Sequence, residues 1–142
     1  MRFCRCLLPA DGLCEWHWTG KAKQAYCFDV AGELFAFAGL LDRSLDDPGR
    51  TVETCSILTT TPNAVASGAH DRMPVILDAD RYGLWLDTGM KDVREAPDQR
   101  QPYDARLMCC YPVSSRINHV VNDDADCSRH AEPTATRDRL FS

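Results

Sequence analysis

From Gln24 to Val30 the chain reads QAYCFDV, with Tyr26, Phe28 and Val30 at alternate positions. A period of two marks a strand with one buried face. Ala31 and Gly32 follow, and ELFAFAGL resumes the alternation at Phe35 and Phe37. The two runs therefore predict a β-hairpin closed at Ala31–Gly32. LDRSLDDPGRTVE, with Pro48 and Gly49, reads as a polar loop. TCSILTT (54–60) reads as a further strand, and Thr61 or Asn63 is placed to cap a short helix through AVASGA. MPVIL predicts a brief apolar strand. DADRYGLWLD predicts a helical turn or two, opened by Asp78 or Asp80 and burying Leu84 and Trp85. The segment from Thr88 to Asp104 is polar, a loop with room for one helix, and ARLMCCYPV is the last strand. Beyond NDDAD no periodicity remains, so residues 127–142 read as a flexible tail. The fold class expected is α+β, mainly β, with short helices and no βαβ alternation.

Near the start, RCLLPADGLCEWHW places Cys14, Glu15 and Trp16 just past a Pro-Ala-Asp-Gly turn. Trp16 and Trp18 alternate with His17, so both indoles project from one face of a strand. Glu15 then has two readings. It faces water while Trp16 enters the core, or it lines an active-site wall beside a surface on which a nucleobase can stack.

Composition narrows the classes. A chain of 142 residues suits one domain with a genuine core. Hydrophobic residues at 44% and charged residues at 26% are globular rather than disordered proportions. The net charge of −5 argues against a generally basic nucleic-acid binder, so any polyanion site must be a local cluster. Eight cysteines raise the question of disulfides or zinc. The start, MRFCRCLLPADG, has no apolar run suited to a signal peptide, and an oxidising compartment is not expected. No stretch approaches a membrane span. Cys4 with Cys6, Cys14 with His17, Cys109 with Cys110 and Cys127 with His130 are close pairs, yet none belongs to a four-ligand pattern. Neither a metal nor a cofactor is expected, and most of the thiols read as small buried apolar residues.

Four groups could carry chemistry. Glu15 is the first, its plainer account being an exposed strand residue. His70, Asp71 and Arg72 precede MPVIL, where a histidine with charged neighbours can carry a proton; a loop salt bridge with a bystander histidine is the plainer account. Trp16 and Trp18 serve a core more often than a ligand, although an exposed Trp beside Arg can hold a single-stranded base. Ser114, Ser115, Arg116 and Asn118 offer donors in what is otherwise a strand end and polar loop.

Taken in order, RCLLPADGLCEW, FAFAGL, SILTT, HDRMPVIL and YPVSSRIN with its later ND resemble the SOS-response-associated peptidase (SRAP) family, in register from about Arg5 to Asp124. The resemblance implies a compact, mostly β twisted sheet or barrel with a positively charged cleft for single-stranded DNA, occupying residues 1–126. It implies recognition of abasic sites and a covalent protein–DNA crosslink. There, a cysteine exposed by removal of the initiator Met attacks the ring-opened sugar aldehyde and closes a thiazolidine with its α-amino group. By the same resemblance, Glu15 and His70 are the acid/base residues of the active site. Arg72 contacts phosphate, Trp16 stacks or wedges at the DNA cleft, and Thr59 lines the same pocket. The implied partner is single-stranded DNA with abasic sites. The protein is then expected to be a monomer in the bacterial cytoplasm or nucleoid.

This chain departs from the family at its start. The nucleophile belongs at position two of an MCGR-like opening, where this chain has Arg2. The resemblance therefore implies that the N-terminal part of the domain is lacking: the nucleophilic cysteine, the early strands and an Asn-containing segment. Leu13 and Cys14 stand where aromatic residues are usual. Cys14 is nearest to Glu15, but adjacent strand residues point to opposite faces, and an internal cysteine has no α-amine to close a ring. A late start, a decayed gene and a non-covalent DNA-binding protein are the three accounts. A thiol-rich metal-binding or redox protein is the reading unrelated to DNA.

Overall fold

The computed structural model describes residues 4–19, 22–46, 50–89 and 100–133. They contain nine strands, five short 3-10 turns and one short α-helix. The strands fall into three separate sheets, and the chain divides into two units. The mainly β expectation holds, with the strands not closed into one barrel.

The first unit comprises residues 1–10, 34–61 and 73–103. Its organiser is β4 (Phe35–Asp46), a strand with partners along both edges. Antiparallel β1 (Cys4–Ala10) runs along one edge, from Ala10↔Phe35 to Cys4↔Leu41. The opposite edge is shared. β8 (Ile76–Leu77) pairs with Ala36 and Phe37, and β5 (Arg50–Ile57) takes over from Gly39 to Asp46. At the handover, the Ala38 amide donates to the Val75 carbonyl and the Leu58 amide to the Ala38 carbonyl. Short β6 (Thr59–Thr60) and β7 (Met73–Pro74) pair beside this junction. Phe35, Ala36, Phe37 and Ala38 are all buried, as expected of a central strand covered on both faces.

The segment read as a polar loop is instead a long hairpin. Leu41–Asp46 continue β4, and Arg50–Ile57 return as β5 in the register Asp46↔Arg50. Residues 47–49, between them, lie outside the described residues. Thr51, Glu53, Thr54, Cys55 and Ser56 are exposed, so the strand carries polar side chains without an apolar period. An Arg43–Glu53 pair at 2.6 Å bridges it. Gly39 lies between Cys6 of β1 and Ile57 of β5. A Cβ there would run into Leu8 Cδ1 and come within 2.7 Å of Cys6 Sγ. Replacing Gly39 with valine is expected to lower stability by about 1–3 kcal/mol through overpacking. A urea midpoint within error of the parent would show that the sheet yields there.

α1 (Tyr82–Leu86) follows a 3-10 turn at Ala79–Arg81. Trp85 is wholly buried against Ala38, Val75 and Leu77. Its indole donates to the Cys6 carbonyl at 2.9 Å. Arg5 reaches across from β1, its Nε donating to the Trp85 carbonyl at 2.6 Å and its Nη2 to that of Asp87. These are carbonyls that a helix C-terminus leaves without internal partners. Leu84, expected in the core, is 51% exposed. One turn of helix presents one face to β1, and Leu84 lies about 100° away from Trp85 around the axis. Asp78 precedes the turn without a side-chain capping bond.

The second unit comprises residues 11–33, 62–72 and 104–142. Its sheet has the order β2 (Leu13–Thr19), β3 (Ala22–Asp29), β9 (Cys109–Pro112). The hairpin expected between β3 and β4 does not form. Ala31 and Gly32 do make a tight turn, with φ of 52° and 73°, the values a type I′ hairpin turn requires. The Glu33 amide donates to the Val30 carbonyl at 2.9 Å, but only that single Val30↔Glu33 bridge follows. β3 already has β2 on one edge and β9 on the other, and β4 is likewise occupied, so neither has an edge left for the other. Ala25, Tyr26, Cys27 and Phe28 are consecutively buried. The alternation in QAYCFDV thus belongs to a strand covered on both faces.

The short helix expected through AVASGA is only a 3-10 turn, and Asn63 precedes its N-cap, Val65, rather than capping it. The Asn63 Oδ1 accepts from the Val65 and Ala66 amides, leading into that turn at Ala66–Gly68. The last strand is shorter than ARLMCCYPV, because Ala105–Leu107 form a 3-10 turn. Within the segment read as a tail, Cys127 is buried and His130 forms a bridge with Val113. The Ala131 amide donates to the Pro112 carbonyl. Residues 134–142 lie outside the described residues, as do 90–99 of the polar stretch.

Candidate functional site

Successive side chains of a strand alternate between faces. Along β2, Cys14, Trp16 and Trp18 therefore share one face, and Leu13, Glu15 and His17 share the other. Glu15 lies mid-strand opposite Tyr26 and is half-buried. Trp16 packs, half-buried, on a cluster of Ala25, Cys27 and Val113 together with Ile117. Its indole N–H donates to Asn118 Oδ1 at 2.7 Å. Asn118 ends the 3-10 turn Ser115–Asn118, which opens with the Ser114 hydroxyl accepting from the Arg116 amide. The Trp16 ring is thus partly core and partly surface.

Trp18 is 62% exposed. Lys23 faces it across the hairpin in the register Trp18↔Lys23. The lysine Nζ lies 4.7 Å from the centre of the Trp16 ring and 5.5 Å from that of Trp18. An ammonium over two indoles is a cation held on an aromatic surface. Sequence reasoning missed Lys23, and only the β2–β3 register could have pointed to it.

His70 and Arg72 are joined locally. The Arg72 amide donates to His70 Nδ1 at 3.0 Å, and the Arg72 carbonyl lies 3.1 Å from the same nitrogen. Asp71 Oδ1 is also 3.1 Å away. Nδ1 is thus surrounded by one donor and two acceptors, leaving Nε2 as the ring atom directed elsewhere. The Arg72 contacts to Nδ1 are made by its main chain. His70, Asp71 and Arg72 are exposed.

Glu15, Trp16, His70 and Arg72 all belong to the second unit, and Thr59, exposed at the start of β6, to the first. Several cations of the second unit are neutralised on the spot. Arg106 is held by Asp104, Arg116 by Asp124 and Arg129 by Asp126, each at 2.6–2.7 Å. Asp104 is held down at about 2, first by the Arg106 side chain. Among the described residues, no group of three or more His, Cys, Asp or Glu could hold a metal ion. No helix there is long and apolar enough to cross a membrane.

Residues 1–120 match the family described as SOS response associated peptidase (SRAP). The chain belongs to that family. Among SRAP relatives, abasic site processing protein YoaM of Bacillus subtilis is 39% identical over 128 residues, 86% of this chain and 55% of its own length. Abasic site processing protein YoqW of the same organism is 38% identical over 124 residues, with the same shares. HMCES of Gallus gallus, also an abasic site processing protein, is 32% identical over 145 residues, covering 87% of this chain and 42% of its own. The chain thus spans about half the length of its Bacillus relatives. A crystal structure of a Bacteroides thetaiotaomicron protein matches with a TM-score of 0.84 at 30% identity, over 92% of this chain and 58% of that one.

Proposed function

We propose that this SRAP chain processes abasic sites in single-stranded DNA. Glu15 and His70 carry protons, and Trp16, Arg72 and Thr59 contact the strand. Opening the sugar ring and exchanging an imine both need a group that gives and takes a proton, which a carboxylate and an imidazole can supply. The observation that carries the reading is the match of residues 1–120 to the SRAP family, together with the likeness to relatives named for abasic-site processing. Supporting the reading, His70 Nδ1 lies against the main chain of Arg72, so Nε2 is the ring atom that would serve a substrate. Trp16 and Trp18 with Lys23 offer a stacking surface and a cation together, a combination suited to single strands. The protein acts as a monomer, in the bacterial cytoplasm or nucleoid.

The stacking surface favours a second reading: Trp16 and Trp18 with Lys23 can hold a single strand without forming any bond to it. Incubating the chain with a single-stranded oligonucleotide bearing one abasic site separates the two. A heat-stable shifted band on a denaturing gel supports covalent processing. Retained binding on a native gel with no such band supports the non-covalent module. Binding no tighter than to an equally long duplex would overturn both.

A further inference from the structure

We propose that Cys14 and Cys27 form a peroxide-oxidisable dithiol that closes into a disulfide across β2 and β3. The two residues are directly opposed in the antiparallel register. Opposed Cα atoms in such a ladder are about 4.5–5.5 Å apart, inside the range of about 4.4–6.8 Å that disulfides span. Both are free thiols. Their side chains point to the same face of the sheet, and Tyr111 lies opposite Cys27 on its other side, on β9. A Cβ on Gly12 would come within 3.1 Å of Cys27 Sγ, so the glycine keeps room for that sulfur.

The surroundings give the two thiols different roles. The adjacent Cys14 thiol first, and the Tyr111 hydroxyl as well, favour the Cys27 thiolate and lower its pKa to about 7 against the opposing effect of burial. Cys14 is pushed up, chiefly by its neighbour Cys27 and then by burial. Cys110, on the same sheet, is pushed up to about 12 by burial. Asp11, Glu15 and Asp29 are the carboxylates that act on the pair, and each opposes ionisation of the thiol it reaches. Cys27 is thus the attacking thiolate and Cys14 the resolving thiol. Cys27 is only 4% exposed, which selects a water-sized oxidant, hydrogen peroxide, over a bulky disulfide.

The Cys27 thiolate attacks one peroxide oxygen, the O–O bond breaks, and hydroxide leaves, giving a sulfenic acid. The Cys14 sulfur then attacks the Cys27 sulfur and expels the hydroxyl group, which takes the Cys14 proton and leaves as water. Overall, two thiols are oxidised by two electrons and one peroxide is reduced to two waters. None of this depends on the chain's acting on DNA.

The test uses the reduced chain, treated with hydrogen peroxide, alkylated and examined by denaturing mass spectrometry. The expected product is lighter by about 2 Da before alkylation. Its peptide map links residue 14 to residue 27, and dithiothreitol reverses it. Oxidation should run about tenfold faster near pH 8 than near pH 6, because the thiolate fraction rises through a pKa of about 7. In Cys14→Ser, Cys27 should stop at a sulfenic acid that dimedone traps. Absence of the mass loss, or a bridge mapped to other cysteines, would overturn the proposal. So would an equal oxidation rate at the two pH values.

Discussion

Replacing Trp85 with alanine is expected to remove about 3–5 kcal/mol of stability, a large share of the total of about 5–15 kcal/mol typical of domains. Two effects combine. The ring is wholly buried against Ala38, Val75 and Leu77, and deleting it leaves a cavity between strands that hydrogen bonds hold in place. The Cys6 carbonyl also loses the indole N–H it accepts at 2.9 Å. Trp85→Phe separates these contributions. It keeps most of the volume and loses the donor, so a cost of about 1–3 kcal/mol is expected. Urea unfolding followed by far-ultraviolet circular dichroism reads both. A loss below about 1 kcal/mol in the alanine variant would mean that β4 and its neighbours hold without α1.

The burial of Trp85 was legible in the sequence, whereas the solvent exposure of Leu84 was not. Both are large apolar residues in one helical turn, and only the direction of β1 decides between them. The two long runs failed for a related reason. QAYCFDV and ELFAFAGL are both apolar and separated by a turn, which is how a hairpin reads. The turn is real, as the positive φ of Ala31 and Gly32 shows. What the pattern could not show was that each strand is central in its own sheet, with other strands on both edges. Burial of Ala25 to Phe28 and of Phe35 to Ala38 follows from that topology. The β4–β5 hairpin was hidden in the opposite way. Its returning strand exposes polar side chains, and a polar strand has the composition of a loop.

The candidate site divides along the same line. Contacts within a few residues were visible: HDR reads as a histidine with charged neighbours, and Asp71 and the Arg72 main chain both lie close to His70 Nδ1. Contacts over long sequence distances were not. Trp16 and Asn118 are 102 residues apart, and neither motif names the other. Cys14 and Cys27 read as two scattered buried thiols until the register of β2 with β3 set them opposite one another. The family resemblance supplied the order of the motifs. Strand parity then added that Glu15 and Trp16, adjacent in sequence, face opposite sides of β2.

That parity sharpens what Glu15→Gln should do. Glutamine keeps the size of the side chain and its acceptor oxygen but can neither give nor take a proton at neutral pH. Formation of the heat-stable adduct with an abasic oligonucleotide is expected to slow by about 10²–10⁴-fold, the usual contribution of a general acid or base. Equilibrium binding should change by less than about twofold, since Trp16 and its bond to Asn118 lie on the other face of the strand. Arg72→Ala should show the converse. Its main-chain bonds to His70 survive the substitution, so the adduct rate at saturating DNA should hold while affinity falls and the salt dependence of binding becomes shallower by about one phosphate contact. Gel quantification of adduct against time, at several oligonucleotide and salt concentrations, reads rate and affinity separately. If Glu15→Gln weakened binding in proportion to the loss of rate, Glu15 would be holding the strand rather than moving a proton. An unchanged rate would assign the proton transfer to His70 alone.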